Sequence, residues 1–240
     1  MLTTLLTAAA MAAIPAGEVQ PLYLQKDGKK WQVDAFFIDT TPVSNAQFYQ
    51  FVQQHPAWNK NSIASVFAEN NYLKHWPEGR PSSQSLSQPV VYVSWFAANA
   101  YCQAQGKKLP SVAQWEYAGN ASATAANGSL EADFNRKILQ WYARPGNTEH
   151  ADVGQGQSNF FGVYDLHGLV WEWTDNFNQS LVSGASRADS SLDQGLYCGS
   201  AAAGSADPSD YAAFMRFGFR SSLKATFTLR NLGFRCAKPA

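Results

Sequence analysis

The residues best spaced for chemistry lie between Asp165 and Glu172. Asp165, Gly168 and Glu172 stand three and four positions apart, in a run that ends Leu169-Val170-Trp171-Glu172-Trp173. This spacing suits a tight turn that aims carboxylate and carbonyl oxygens at one point, followed by a short buried strand carrying Trp171 and Trp173. Hard cations such as calcium take oxygen ligands of this kind, and a glycine lets the chain turn sharply. The same residues suit a plain turn in which Asp165 bonds its own backbone and Glu172 caps a neighbour. Spacing alone does not separate the two.

Other reactive side chains are sparse. The three cysteines are Cys102, Cys198 and Cys236, and His55, His75 and His150 are scattered, with no His–Cys spacing of zinc type. Arg216, Arg220, Arg230 and Arg235 punctuate an aromatic C-terminal segment. Such arginines read as guanidiniums bonding carbonyls and carboxylates in a loop-rich core, or as a clamp for a carboxylate or phosphate ligand.

The rest of the chain must position these groups. At 240 residues it is long enough to bury a sizeable core, and no long linker divides it, so one domain is expected. Eighteen basic residues balance eighteen acidic ones without a Lys/Arg cluster, which argues against nucleic-acid binding. Seventeen Gly and eleven Pro, spread along the chain, imply many turns and short elements. No apolar run approaches the roughly 20 residues of a membrane-spanning helix. Leu2 to Ala13 is apolar and small, and Ala8-Ala9-Ala10 resembles a signal-peptidase site, although no Lys or Arg precedes it. Residues 1–10 therefore read either as the remnant of a signal peptide whose start lies upstream of Met1 or as sequence leading into a first strand near Ala13 to Gly17. Export is the reading taken, which places the protein in the periplasm or outside the cell.

Trp31 to Asp39 reads as one buried strand. Ser44 and Gln47 form a capping box, opening a helix with Phe48, Phe51 and Val52 on one face that must stop before Pro56. Residues 56–88 read as a long irregular loop pinned by Trp58, Phe67, Tyr72 and Trp76. Val90 to Val93 reads as a strand, and Ser94 caps a helix through Trp95, Ala98, Tyr101 and Cys102 that ends at Gly106. Ser111 and Gln114 form a second capping box, and their helix carries Val112, Trp115 and Tyr117.

Taken in order, these blocks resemble the formylglycine-generating enzyme (sulfatase-modifying factor) family over nearly the whole chain. The resemblance rests on Ile14 to Glu18, Phe37 to Phe48, Val93 to Cys102, Gly106 to Ala118, Gly162 to Trp173 and Gly233 to Cys236. It implies a single irregular α+β domain over residues 11–240, related to C-type lectins, with short helices, small sheets and little regular secondary structure. It implies a calcium ion held by Asp165, Gly168, Val170 and Glu172, with Leu169 standing where the family usually has Asn. It implies a disulfide between Cys102 and Cys236, and a packed, hydrogen-bonded His167. Trp171, Ser200, Tyr211 and Arg216 fall at or near positions lining the family's substrate cleft, or they serve only the core.

The catalytic reading runs the other way. Catalytic members bind copper(I) through two thiolates and oxidise a substrate cysteine to an aldehyde. Here Cys198-Gly199-Ser200 stands at the family's Gly-Gly-Ser motif, so counting forward puts Ala203 at the first thiolate, and counting back from Arg216 and Arg220 puts Ala212 at the second. No catalytic residue is therefore assigned and copper is not expected. The resemblance implies an exported accessory or binding protein with a protein or peptide partner, of the sort that accompanies metalloenzyme maturation. The alternative is an oxidoreductase with different chemistry in the same cleft.

Overall fold

The computed structural model describes residues 9–20, 30–129, 131–144, 149–178 and 211–240. Its elements are short because glycines, prolines and polar clusters interrupt every apolar run. The strands are β1 (Met11–Ile14), β2 (Gly17–Val19), β3 (Trp31–Val33), β4 (Phe36–Asp39), β5 (Trp171–Glu172), β6 (Leu232–Gly233) and β7 (Ala237–Pro239). The helices are α1 (Asn45–Gln54), α2 (Trp95–Ala104), α3 (Val112–Gly119), α4 (Ala132–Tyr142) and α5 (Tyr211–Ser221). This is the irregular α+β architecture that the sequence implied.

β4 is the centre of a three-stranded antiparallel sheet in the order β1-β4-β7, pairing Ala12 with Ile38 and Ile38 with Ala237. The first and last strands of the described chain thus meet on one element. Ala10, at the end of the signal-like stretch, already belongs to this arrangement, because its carbonyl accepts the Thr40 N–H at 2.9 Å. β2 pairs with β3, and β5 runs parallel to β6.

Trp31 to Asp39 is two strands rather than one. β3 pairs with β2 and β4 with β1 and β7, so the chain changes sheets at Asp34 and Ala35. Val90 to Val93 is not a strand. Tyr92 sits at φ 54°, in the left-handed region that breaks a pleat, and the segment's N–H groups reach two different places: Val90 donates to Val43 O and Tyr92 to Leu229 O.

The helix starts are as read. Ser44 and Ser111 each form reciprocal capping boxes with Gln47 and Gln114, and Ser94 accepts the Ala97 N–H. Caps of this type stabilise a helix by about 1 kcal/mol. α1 ends at Gln54, before Pro56, and Gly106 takes the left-handed φ of 67° expected after α2. α1 buries Phe48, Phe51 and Val52 against Tyr72, Trp76, Tyr101 and Phe234 in the larger core cluster. A smaller cluster gathers Ile14, Val33, Phe36 and Ile38 of the sheets around Trp115 and Leu166. In the irregular stretch 56–88, Tyr72 and Trp76 are buried as anchors, whereas Phe67 is 40% exposed.

Cys102 and Cys236 form a disulfide across 134 residues, tying α2 to the end of the chain. A closure of that length stabilises by at most roughly 4–5 kcal/mol in the chain-entropy model. Beside it, Lys107 Nζ donates to Asp39 Oδ1 at 2.6 Å, and Asp39 Oδ2 accepts the Cys236 N–H. Burial pushes the Asp39 carboxyl above its usual range despite Lys107. No helix among the described residues is long and apolar enough to cross a membrane.

Candidate functional site

Three elements converge on Trp115. The Ser111 cap sets the start of α3, which turns Trp115 into the core and leaves Glu116 on its flank. β5 lies beside β6, and this parallel pairing delivers Arg235, two residues past β6, onto Glu172. The pairing needs a glycine at 233 for room rather than for torsion, since a Cβ there would stand 2.7 Å from the Val90 carbonyl oxygen. α5 supplies Arg216 and Arg220, one helical turn apart and both buried.

Two ion-pair clusters result, joined by the indole. In the first, Glu172 accepts from Arg235 Nε and Nη2 at 2.8–3.0 Å and from Trp115 Nε1 at 2.8 Å. Arg235 also donates to the carbonyls of Asp39, Thr40 and Tyr164, so it ties the central strand to the turn before β5. In the second, Glu116 receives Arg216 through Nε and Nη2, at 2.7–3.1 Å, and Arg220 through Nη1. Both guanidiniums lie over the Trp115 ring, at 5.8 and 4.9 Å from its centroid. Burial alone would raise the Glu116 pKa, but the two guanidiniums outweigh it and hold the carboxyl at about 2. Glu116 in turn raises Arg216 against the cost of its own burial.

The expected cleft residues take different places. Arg216 spends its donors on Glu116 and, at 3.4 Å, on the Tyr142 hydroxyl, so its geometry is that of a core strut rather than a ligand clamp. Trp171 stacks on Tyr142 at 4.7 Å and on Phe219 at 4.3 Å. Tyr211 is 52% exposed and stacks on Phe214. Ser200 lies outside the described residues, as do Cys198 and Ala203. Ala212 is buried on α5. A cleft of about 160 Å³ opens beside Trp171, walled by Trp141, Tyr142, Gly168, Leu169 and Asn231. The aromatic wall comes from α4, which the sequence reading did not assign. The periodic apolar positions of α4 sit among charged residues, and that amphipathic pattern was the available clue.

The turn expected to hold calcium has left-handed backbone at Asp165, φ 58°, and Gly168, φ 106°. Asp165 Oδ2 accepts the Gly154 N–H at 2.6 Å. Its donors are all oxygen, which fits calcium, but Glu172 is already neutralised by Arg235 and would have to share an oxygen. The turn offers an ion about one net negative charge.

His167 is packed and bonded, as expected: its Nε2 stands 2.9 Å from the Gly119 carbonyl, and Trp115 and Phe134 meet it edge-on. Burial pulls its pKa down to about 3, so it is neutral near pH 7.

The family described as "Sulfatase-modifying factor enzyme 1-like domain" matches residues 3–240. The chain is 30% identical over 186 residues to the mouse protein "Inactive C-alpha-formylglycine-generating enzyme 2", covering 59% of this chain and 58% of that protein. It is 25% identical over 226 residues to the mouse "Formylglycine-generating enzyme", covering 70% of this chain and 58% of that one. It therefore spans little more than half the length of these relatives. The crystal structure of CarF superposes with a TM-score of 0.53 at 16% identity, over 97% of this chain and 98% of that one, a likeness of fold.

Proposed function

The chain belongs to the sulfatase-modifying factor enzyme 1-like family, and from that premise we propose that it is an exported accessory or binding member without the thiol-to-aldehyde activity. The thiol count carries this reading. The sequence has three cysteines, and the Cys102–Cys236 disulfide takes two. A single thiol at Cys198 cannot supply the pair of soft sulfur ligands that copper(I) chemistry of this kind uses. The residues present do not fit copper in that role, and no step is derived through it. Similarity runs to inactive and active relatives alike, so the thiol count and not the likeness carries the reading. The disulfide favours an oxidising compartment, hence export. A metalloenzyme under maturation is the partner class suggested by the family, and the cleft beside Trp171 is where a peptide segment of it would lie.

One experiment tests both halves of this reading. Alkylation of protein taken from its native compartment, before reduction, should label one cysteine, Cys198. The same protein, given copper(I), oxygen and a sulfatase-type Cys-x-Pro-x-Arg peptide, should form no aldehyde. Three labelled thiols would refute export, and aldehyde above a metal-only control would refute the loss of activity.

A structural calcium at the turn is a further part of the proposal, held by Asp165, the backbone oxygens of Gly168 and Val170, and one shared oxygen of Glu172. Calcium would fix the turn that walls the cleft and take no part in chemistry. Dialysed protein should retain about one calcium per chain, and Asp165→Ala should abolish it. Chelator that leaves the melting temperature unchanged, with no calcium found, would remove this element.

A further inference from the structure

A second cavity, of about 380 Å³, shares Glu149 and His150 with the cleft beside Trp171, and its other walls include Lys74, His75, Tyr92 and Arg230. The shared wall makes the two spaces one groove, with an aromatic end and a basic end.

Tyr92 sets the basic end. Its N–H donates to the Leu229 carbonyl and its own carbonyl accepts the Leu73 N–H, both at 2.9 Å. Lys74 and Arg230 are the next residues of those two segments, so one residue places both cations on the cavity wall. Leu73 and Tyr92 take left-handed backbone, φ 47° and 54°, a region that bulky residues rarely adopt. Strain of this kind persists only where the surrounding structure enforces it, and it concentrates at binding sites. The Tyr92 ring also stacks on His75 at 5.6 Å, which holds it against the wall.

Charge decides what such a groove takes. Arg144 lines the cleft beside Trp171, so Lys74, Arg144 and Arg230 face the carboxylate of Glu149 among the described lining residues. Burial holds the His75 pKa at about 4 and that of His150 below its ordinary value, so neither ring adds charge near pH 7. The groove therefore carries an excess of positive charge, on a chain whose eighteen basic and eighteen acidic residues cancel. All three cations are exposed, where they attract an approaching anion over roughly 8–10 Å at physiological salt. A neutral occupant would leave that excess uncompensated.

We propose that the basic end binds acidic side chains of a partner segment whose apolar residue lies against Trp171. This rests on the reading that the cleft holds a peptide segment of a partner, and it names the class of that segment. Trp141, Tyr142 and Trp171 suit an apolar or aromatic residue, and Lys74 and Arg230 suit carboxylates close to it in the same chain.

The test is fluorescence anisotropy with a labelled peptide in which a flexible glycine spacer joins Trp to Glu-Glu, compared with the same peptide ending Gln-Gln. The acidic peptide should bind about tenfold more tightly at low salt, and the preference should shrink as salt rises. Lys74→Glu alters an exposed side chain and spares the core; it should abolish the preference, so that both peptides bind alike. Lys238→Glu makes the same change in net charge at an exposed site on β7 outside the cavity, and should leave the preference within about twofold. Equal binding of the two peptides to the native protein, or a preference that survives Lys74→Glu, would overturn the acidic assignment and leave the peptide reading of the cleft standing. Binding of neither peptide would overturn both. Displacement of the acidic peptide by inorganic phosphate, at matched ionic strength, would also overturn it and assign the basic end to a small free anion.

Discussion

Arg235→Ala is expected to destabilise the protein by roughly 3–5 kcal/mol, the loss typical of breaking a buried pair from one side. Both side chains of the Arg235–Glu172 pair are completely buried. Without the guanidinium, Glu172 keeps the Trp115 N–H among the described residues, and the carbonyls of Asp39, Thr40 and Tyr164 lose their shared donor. The carboxylate would then be a buried charge without its guanidinium. Adding Glu172→Gln should recover part of the loss, because the double variant no longer buries a charge. Urea unfolding of the two single variants and the double variant measures this as a coupling energy. A single-variant loss under about 1 kcal/mol, or strictly additive losses, would show that the pair does not hold the fold.

Glu116→Gln should have an effect of the same order, roughly 3–5 kcal/mol, because it strands two buried guanidiniums instead of one. It also carries a pH signature. The two arginines hold the folded-state pKa of Glu116 at about 2, below the ordinary value of 4.5. A depressed carboxylate pKa stabilises the fold above the ordinary value, and that stability is lost as pH falls through the folded one. The native protein should therefore lose an increment of stability between pH 4.5 and 2, and Glu116→Gln should lack that increment. Because Arg216 and Arg220 both sit on α5, the variant should also loosen that helix first, seen as faster amide exchange over residues 211–221. Identical pH profiles for the two proteins would rule out the clamp.

What could be read from the sequence was local chemistry. Ser44–Gln47 and Ser111–Gln114 set helix starts because a cap satisfies donors only three residues away, and the Phe48, Phe51 and Val52 face follows from the helical repeat. The disulfide came from family resemblance rather than from spacing, since 134 residues of intervening chain leave no local trace. α5 was open to the same local reasoning: Arg216 and Arg220 are spaced one turn apart, but arginines among aromatics were read as belonging to loops.

The remainder depends on partners distant in the chain. Trp31 to Asp39 divides because its two halves pair with different strands, and the left-handed turn at Tyr92 is held by a bond to Leu229. Trp171 is a stacked ring because α4 brings Tyr142 and α5 brings Phe219 against it. Glu172 belongs to Arg235 as much as to any cation, and Lys74 shares a cavity with Arg230, for the same reason. A side chain's chemistry is fixed by its type, but its charge state, exposure and partners are set by groups that only the folded chain brings within a few ångströms.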